Sequence, residues 1–180
     1  VTQDRLAYEE LCKRLDTKFP KPTNPFIAER IAQDCLLLPN SGADLELIDN
    51  LADTAVTLGS ADPSLAYFQA CKAMSNYRLG RFREAVDWAV KAVNGPTAEA
   101  QAKAKAFAVL AMANWQLGEQ NAARSALAKG DASAPDGVPA NDAIDLGDSW
   151  VAWLIARVSL DEATALIGPA ATSEGKSARK

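Results

Sequence analysis

The chain has 180 residues, a formal net charge of −4, 48% hydrophobic and 23% charged residues, and no histidine. That is one domain's worth of ordinary globular composition. An acidic balance argues against nucleic acid, which needs a basic face, and the lack of histidine removes Ser-His-Asp and Cys-His catalysis. No run approaches the roughly 18 apolar residues of a membrane span, and no signal-peptide pattern is present. Neither nucleic acid nor membrane is therefore an expected partner, and the expected location is cytoplasmic. The chain begins at Val1 rather than Met, so it is expected to be a piece of something longer.

Taken in order, Asp4 to Phe19 reads as a helix with Leu6, Leu11, Cys12, Leu15 and Phe19 on one face. It is either the second helix of a preceding unit or an N-terminal cap. Pro20 to Pro25 is rich in helix breakers. Asn24-Pro25 then caps a helix carrying Phe26, Ile27, Ile31, Ala32, Cys35 and Leu36 as far as Pro39. After a turn at Asn40 to Ala43, a second stripe of Leu45, Ile48, Leu51, Ala52, Ala55, Val56 and Leu58 ends at Gly59. Together these predict a first helical hairpin over about 24–59.

A second hairpin, about 62–94, opens at Asp62-Pro63 with Asp62 as the expected N-cap. Tyr67, Phe68, Cys71, Met74, Tyr77 and Leu79 recur at helical spacing, and Gly80 supplies the left-handed residue that ends the helix. Phe82, Ala85, Val86, Ala89, Val90 and Val93 form its partner, stopped by Asn94-Gly95-Pro96. The third hairpin, about 97–130, joins an alanine-rich helix over Ala98 to Leu117 to one over Gln120 to Lys129. Gly130 to Asn141 reads as a loop, about 147–167 as a capping helix, and 168–180 as a disordered tail. The capping helix carries Trp150, Val151, Trp153, Leu154, Val158, Leu160, Ala163 and Leu166. Cys12, Cys35 and Cys71 each fall in a helical pattern and are expected to be buried free thiols.

Hairpins two and three are copies. A shift of 38 residues places Ala70 on Ala108, Ala73 on Ala111, Met74 on Met112, Asn76 on Asn114, Leu79-Gly80 on Leu117-Gly118 and Ala85 on Ala123. Self-similarity at such a period marks a repeat array, whose units bury their apolar faces only by stacking. The alanines let the two helices of a hairpin approach closely.

Tyr77 to Ala85, with Trp88 and Lys91-Ala92-Val93, resembles a tetratricopeptide (TPR) unit, and Ala111, Leu117-Gly118-Glu119, Ala122-Ala123 and Leu127 repeat it more weakly. The second copy departs from the pattern at Gln120, which stands where Phe82 stands in the first. The resemblance implies an all-α fold, a right-handed α-α superhelix of TPR-like hairpins with a C-terminal capping helix, forming a single domain over 1–167. A wider likeness runs from Tyr8 to Leu166, through Ala28-Glu29-Arg30, Cys35 to Pro39, the two Leu-Gly hairpins and Trp153 to Arg157. It is similar to the C-terminal TPR regions of large bacterial proteins that carry a serine/threonine kinase domain or WD-repeats upstream. An upstream kinase domain in the same parent chain is thus a possible partner. No Gly-rich loop with its Lys, His-Arg-Asp or Asp-Phe-Gly is present here.

In TPR arrays the first helix of each unit lines the concave surface where ligand peptides lie. The resemblance therefore implies a partner-binding row of Tyr67, Met74, Tyr77 and Arg78 in the second hairpin. In the third it implies Lys105, Met112, Trp115 and Gln116, with Glu29 and Gln33 extending the row into the first. Tyr and Trp give rigid contact area, Met adapts to varied partners, and Arg78 and Lys105 suit a carboxylate or carbonyl. The alternative is that Met74 and Met112 are core and that Tyr77 and Trp115 pack on the neighbouring hairpin. Asp44, Glu46, Asp142 and Asp145 sit at loops or helix starts, where they complement the helix dipole. No nucleophile, base and orienter combine, so no catalytic residue, cofactor or metal is expected. Two functions follow as expectations. One is a non-catalytic module binding a peptide or protein along the concave face of a bacterial signalling protein; the other is a scaffolding segment that self-associates through its edge helices.

Overall fold

Two helix starts in this chain are set by short side chains that reach back to orphan amides. In the computed structural model, which describes residues 2–19, 21–134 and 150–168, Asn24 Oδ1 accepts from the Phe26 and Ile27 amides and opens a helix over Pro25–Leu36. Asp44 Oδ1 does the same for Glu46 and Leu47 at the start of Leu45–Leu58. Each such cap is worth about 1 kcal/mol. Asp62 behaves differently from expectation. Its carboxylate accepts from Ser64 N at 2.8 Å and its carbonyl from Leu65 N, so it shapes a turn and the helix begins at Leu65.

Among the described residues there are eight helices: α1 (Thr2–Lys18), α2 (Pro25–Leu36), α3 (Leu45–Leu58), α4 (Leu65–Arg78), α5 (Phe82–Asn94), α6 (Ala100–Gln116), α7 (Gln120–Ser133) and α8 (Trp150–Ile167). The two copies end their first helices identically. Gly80 and Gly118 lie at φ +74° and +80°. At α4, Gly80 N donates to Tyr77 O and Arg81 N to Asn76 O; at α6, Gly118 N donates to Trp115 O and Glu119 N to Asn114 O. This is the Schellman motif, which needs a residue free of the left-handed penalty at that point.

The helices pack in sequential pairs, α2 with α3, α4 with α5 and α6 with α7, and α3 and α5 each also pack on the next pair's first helix. The first helices α2, α4 and α6 also touch one another in a row. Ala73 and Ala85 in one pair, and Ala111 and Ala123 in the other, are fully buried at the crossings. Their small side chains permit the short end of the usual 8–10 Å interaxial range. Ile31, Leu36, Ile48, Leu51, Val109 and Leu160 fill the space between, each such burial contributing about 1.5–3 kcal/mol. Cys12, Cys35 and Cys71 are buried and none is in a disulfide, as expected.

Three stripes read from the sequence are rotated in the fold. In α1 the buried edge is Cys12, flanked by half-buried Tyr8 and Leu15, while Leu6 and Leu11 are 68% and 47% exposed and Phe19 is also exposed. Hydrogen bonds decide this. Tyr8 Oη donates to Asp34 O at 2.9 Å and accepts from Leu38 N at 3.2 Å, and Arg5 reaches Pro39 O, so α1 is pinned to the C-terminal end of α2. In α2, Phe26 and Ile27 face outward and Ala28, Ile31, Ala32, Cys35 and Leu36 face in. In α8, which is apolar nearly all round, the buried edge is Ala156, Leu160, Ala163 and Ile167, whereas Trp150 and Leu154 are exposed.

The third pair continues past its expected end. α7 runs to Ser133, and Gly130, read as the start of a loop, lies within the helix. A Cβ there would come within 2.7 Å of Leu160 Cδ2, so glycine lets α8 nest against α7. Residues 135–141 of the predicted loop, 147–149 of the predicted capping helix and the predicted tail beyond Gly168 lie outside the described residues.

A buried ionic cluster ties α3 to the second pair. Asp49, 6% exposed, accepts from Lys72 Nζ at 2.7 Å, Ser75 Oγ at 2.6 Å and Arg81 at 2.8 Å. Burial would raise its carboxyl, but the hydrogen bonds from Lys72 and Ser75 and the charges of Lys72 and Arg81 outweigh that and hold it below the usual value. Arg81 also bonds Glu46, so Glu46 serves as an ion-pair partner as well as an N-terminal charge.

Candidate functional site

The row formed by α2, α4 and α6 is not open along its length. α8 packs chiefly on α6 and less on α7, and reaches across the row. Arg78 of α4 grips Glu162 of α8 in a fork, with NH2 2.6 Å from Oε2, while its Nε and NH2 also bond Leu36 O of α2 at 3.3 and 3.2 Å. One guanidinium thus joins three helices, a geometry that lysine's single ammonium could not reproduce. Closer to the start of α8, Val151, Ala152 and Ile155 face residues of α2, α4 and α6 across a cavity. α8 therefore divides the first-helix row into two recesses.

The first recess, about 290 Å³, is the cavity under Val151, Ala152 and Ile155. Phe26 and Phe68 form an apolar corner, rings edge to face at 5.3 Å. The polar lining is Glu29, Arg30 and Gln33 from α2, Ser64 and Tyr67 from the α4 end, and Gln101 and Lys105 from α6. Tyr67 Oη donates to Glu99 Oε2 at 3.1 Å and stands 3.5 Å from Gln101 Oε1. Lys105, buried, donates to Gln33 Oε1. Gln33 is 2% exposed, and its Nε2 is the one buried side-chain polar atom among the described residues without a hydrogen-bond partner. Burial raises the Glu29 carboxyl above the ordinary range, against the opposing charges of Lys105 and Arg30.

The second recess, about 620 Å³, lies beyond the Arg78–Glu162 fork and is walled by Leu38 to Ala43, Leu45, Tyr77, Phe82 and Gln116. Tyr77 is half-buried, its ring 5.7 Å from that of Phe82. Burial raises its phenol, with Gln116 acting against that shift.

The expected partner-binding residues are thus divided. Tyr67 lies at the first recess, and Tyr77 and the exposed Gln116 at the second. Met74 and Met112 are corrected to core: they are 1% and 0% exposed and pack among the alanines of the pairs. Lys105 faces the cavity but is buried and engaged by Gln33, and Arg78 is engaged by Glu162, so neither is a freely exposed cation on an open surface. Trp115 is half-buried, packed against the core with the Arg124 guanidinium of α7 5.7 Å from its ring. The physical reason is common to all of these. A first helix is covered by its own partner, by the next pair and here also by α8, which leaves few of its residues free.

Glu162, Val151, Ala152 and Ile155 were not read as part of this row. Their pattern is that of any apolar helix, and nothing local says that the last helix lies over the first-helix row. Among the described residues no cluster of three His, Cys, Asp or Glu side chains is placed to hold a metal ion, and no helix is long and apolar enough to cross a membrane. Compared with known proteins, the chain matches no family model, no curated protein and no solved structure.

Proposed function

We propose that the chain is a non-catalytic protein–protein interaction module of TPR type, a right-handed superhelix of paired helices that takes a peptide or protein at the second recess. The single observation that carries this is Tyr77. It presents a rigid amphipathic ring beside exposed Gln116 in an open recess, next to an arginine whose side chain is already largely desolvated by the fold. Half-buried aromatics of this kind are the usual anchors of interfaces. The identical first-helix ends and the touching first helices favour a regular array. The likeness of the sequence to the C-terminal TPR regions of large bacterial proteins extends the proposal to a cytoplasmic signalling protein in which this module follows a kinase domain or WD-repeats.

The test is a photo-crosslinking residue at Gln116 in the native host, with the same residue at exposed Arg83 on α5 as control. A discrete adduct from Gln116 alone, lost with Tyr77→Ala while helical content is kept, supports the assignment. Adducts from both positions, or from neither, overturn it.

A second function has its own observation. Leu6 and Leu11 of α1 are 68% and 47% exposed, and Phe19 just past its end is 39% exposed, apolar surface that a contact with another copy would cover. Scaffolding by self-association through this edge predicts a concentration-dependent dimer that Leu6→Glu with Leu11→Glu abolishes.

A further inference from the structure

We propose that the recess between α2, α4, α6 and α8 binds a free apolar α-amino acid. Its volume, about 290 Å³, stands at the bottom of the range for ligand pockets of roughly 300–1,000 Å³, suited to one small metabolite.

The polar groups are in surplus and of matched kinds. Gln33 Nε2 is buried and unpartnered, although a bare buried donor costs about 1–3 kcal/mol. Its orientation is not free, because Oε1 is taken by Lys105 Nζ; turning the amide over would set donor against donor. Lys105 has three donors and spends one on Gln33. An amide N–H and an ammonium side by side call for a carboxylate, whose two oxygens satisfy both.

Opposite charge is supplied one turn away. Glu29 precedes Gln33 by four residues on α2 and so lies on the same face. Burial disfavours the charged form of Glu29, and a ligand ammonium beside it would hold it ionised and give the carboxylate a donor. The Phe26–Phe68 corner with Val151 and Ile155 leaves an apolar wall for the side chain. A peptide terminus meets only half of this arrangement, since a C-terminal residue has no ammonium beside its carboxylate. The site is independent of the second recess, and stands or falls apart from the partner-binding function.

Calorimetry on the whole chain at neutral pH tests this with leucine, valine, methionine and phenylalanine as free amino acids. Isocaproate and isopentylamine serve as leucine lacking the ammonium and the carboxylate. The expected result is saturable binding of at least one amino acid, with each truncated analogue weaker by about tenfold or more, as loss of a charged hydrogen bond implies. Gln33→Leu is expected to weaken binding by a similar factor. Val151→Trp, which fills the recess from α8 without replacing a polar group, should abolish binding while circular dichroism is unchanged, and this keeps the test sound if Gln33→Leu fails to fold. No binding of any of the four at millimolar concentration overturns the proposal. So does isocaproate binding as tightly as leucine, or binding that survives Val151→Trp.

Discussion

Removing Glu162 should release α8 while leaving the paired helices standing. In Glu162→Ala the Arg78 guanidinium, whose side chain is 7% exposed, loses its counter-charge and keeps Leu36 O and the Tyr77 ring 5.6 Å away. Stripping one partner from a fully buried pair costs about 3–5 kcal/mol. The Glu162 side chain is 23% exposed, so water reaches the orphaned charge and the expected loss falls to about 2–3 kcal/mol. For a chain of this size each kcal/mol moves the melting temperature by about 2–4 °C, which gives a drop of roughly 5–10 °C. Amide hydrogen exchange locates the loss. Protection should fall across Trp150–Ile167 before it falls in Leu65–Arg78, because α8 is held by one face and α4 by neighbours on several sides. Asp161→Ala, at the exposed neighbouring position, should stay within about 0.5 kcal/mol. The pair of changes Arg78→Met and Glu162→Leu should recover most of the loss, since apolar replacement removes the buried charge as well. Equal effects of Glu162→Ala and Asp161→Ala, or uniform loss of protection across all helices, would refute the assignment of α8 to this latch.

Met74→Ala and Met112→Ala should each destabilise by about 2–5 kcal/mol in urea titration, as buried deletions do; unchanged midpoints would place these side chains outside the core. Asp49 carries a pH dependence of known sign. Its native carboxyl is held below the unfolded value of about 3.9, so its contribution is complete above that pH and is lost as pH falls from there through the native value. Acidification below about pH 4 should therefore cost the natural chain more stability than it costs Asp49→Asn, and parallel losses in the two would count against the cluster. Gly59→Ala would set a Cβ 2.2 Å from the buried Phe68 ring, and overpacking of that kind costs about 1–3 kcal/mol. A melting temperature equal to that of the natural chain would show that the Phe68 ring can move aside.

Secondary structure in this chain is a local matter, and the amino-acid sequence by itself determined most of it. Asn24 and Asp44 cap their helices because a short side chain can reach the second and third amides of a turn. Gly80 and Gly118 end α4 and α6 because the left-handed residue they supply needs no distant partner. The 38-residue echo likewise announced two similar hairpins, since the alanines at each crossing are demanded by one pair alone.

Which face of each helix is covered was decided only by the tertiary structure. α1 is turned by the Tyr8 hydroxyl and Arg5 hydrogen-bonding to backbone of the Asp34–Pro39 stretch, some thirty residues away in sequence. Gly130 reads as a stop until Leu160 of α8 is seen against it. The candidate site is nonlocal in the same way. Tyr67 and Tyr77 were legible as aromatic positions on a first helix, but Gln33 and Lys105 are 72 residues apart, and Arg78 and Glu162 are 84. No periodicity relates residues at such separations, because their meeting depends on how helices stack rather than on how one helix winds. Met74 and Met112 were misplaced for that reason: helical spacing identifies a stripe, and only the neighbours it meets decide whether the stripe binds a partner or fills the core.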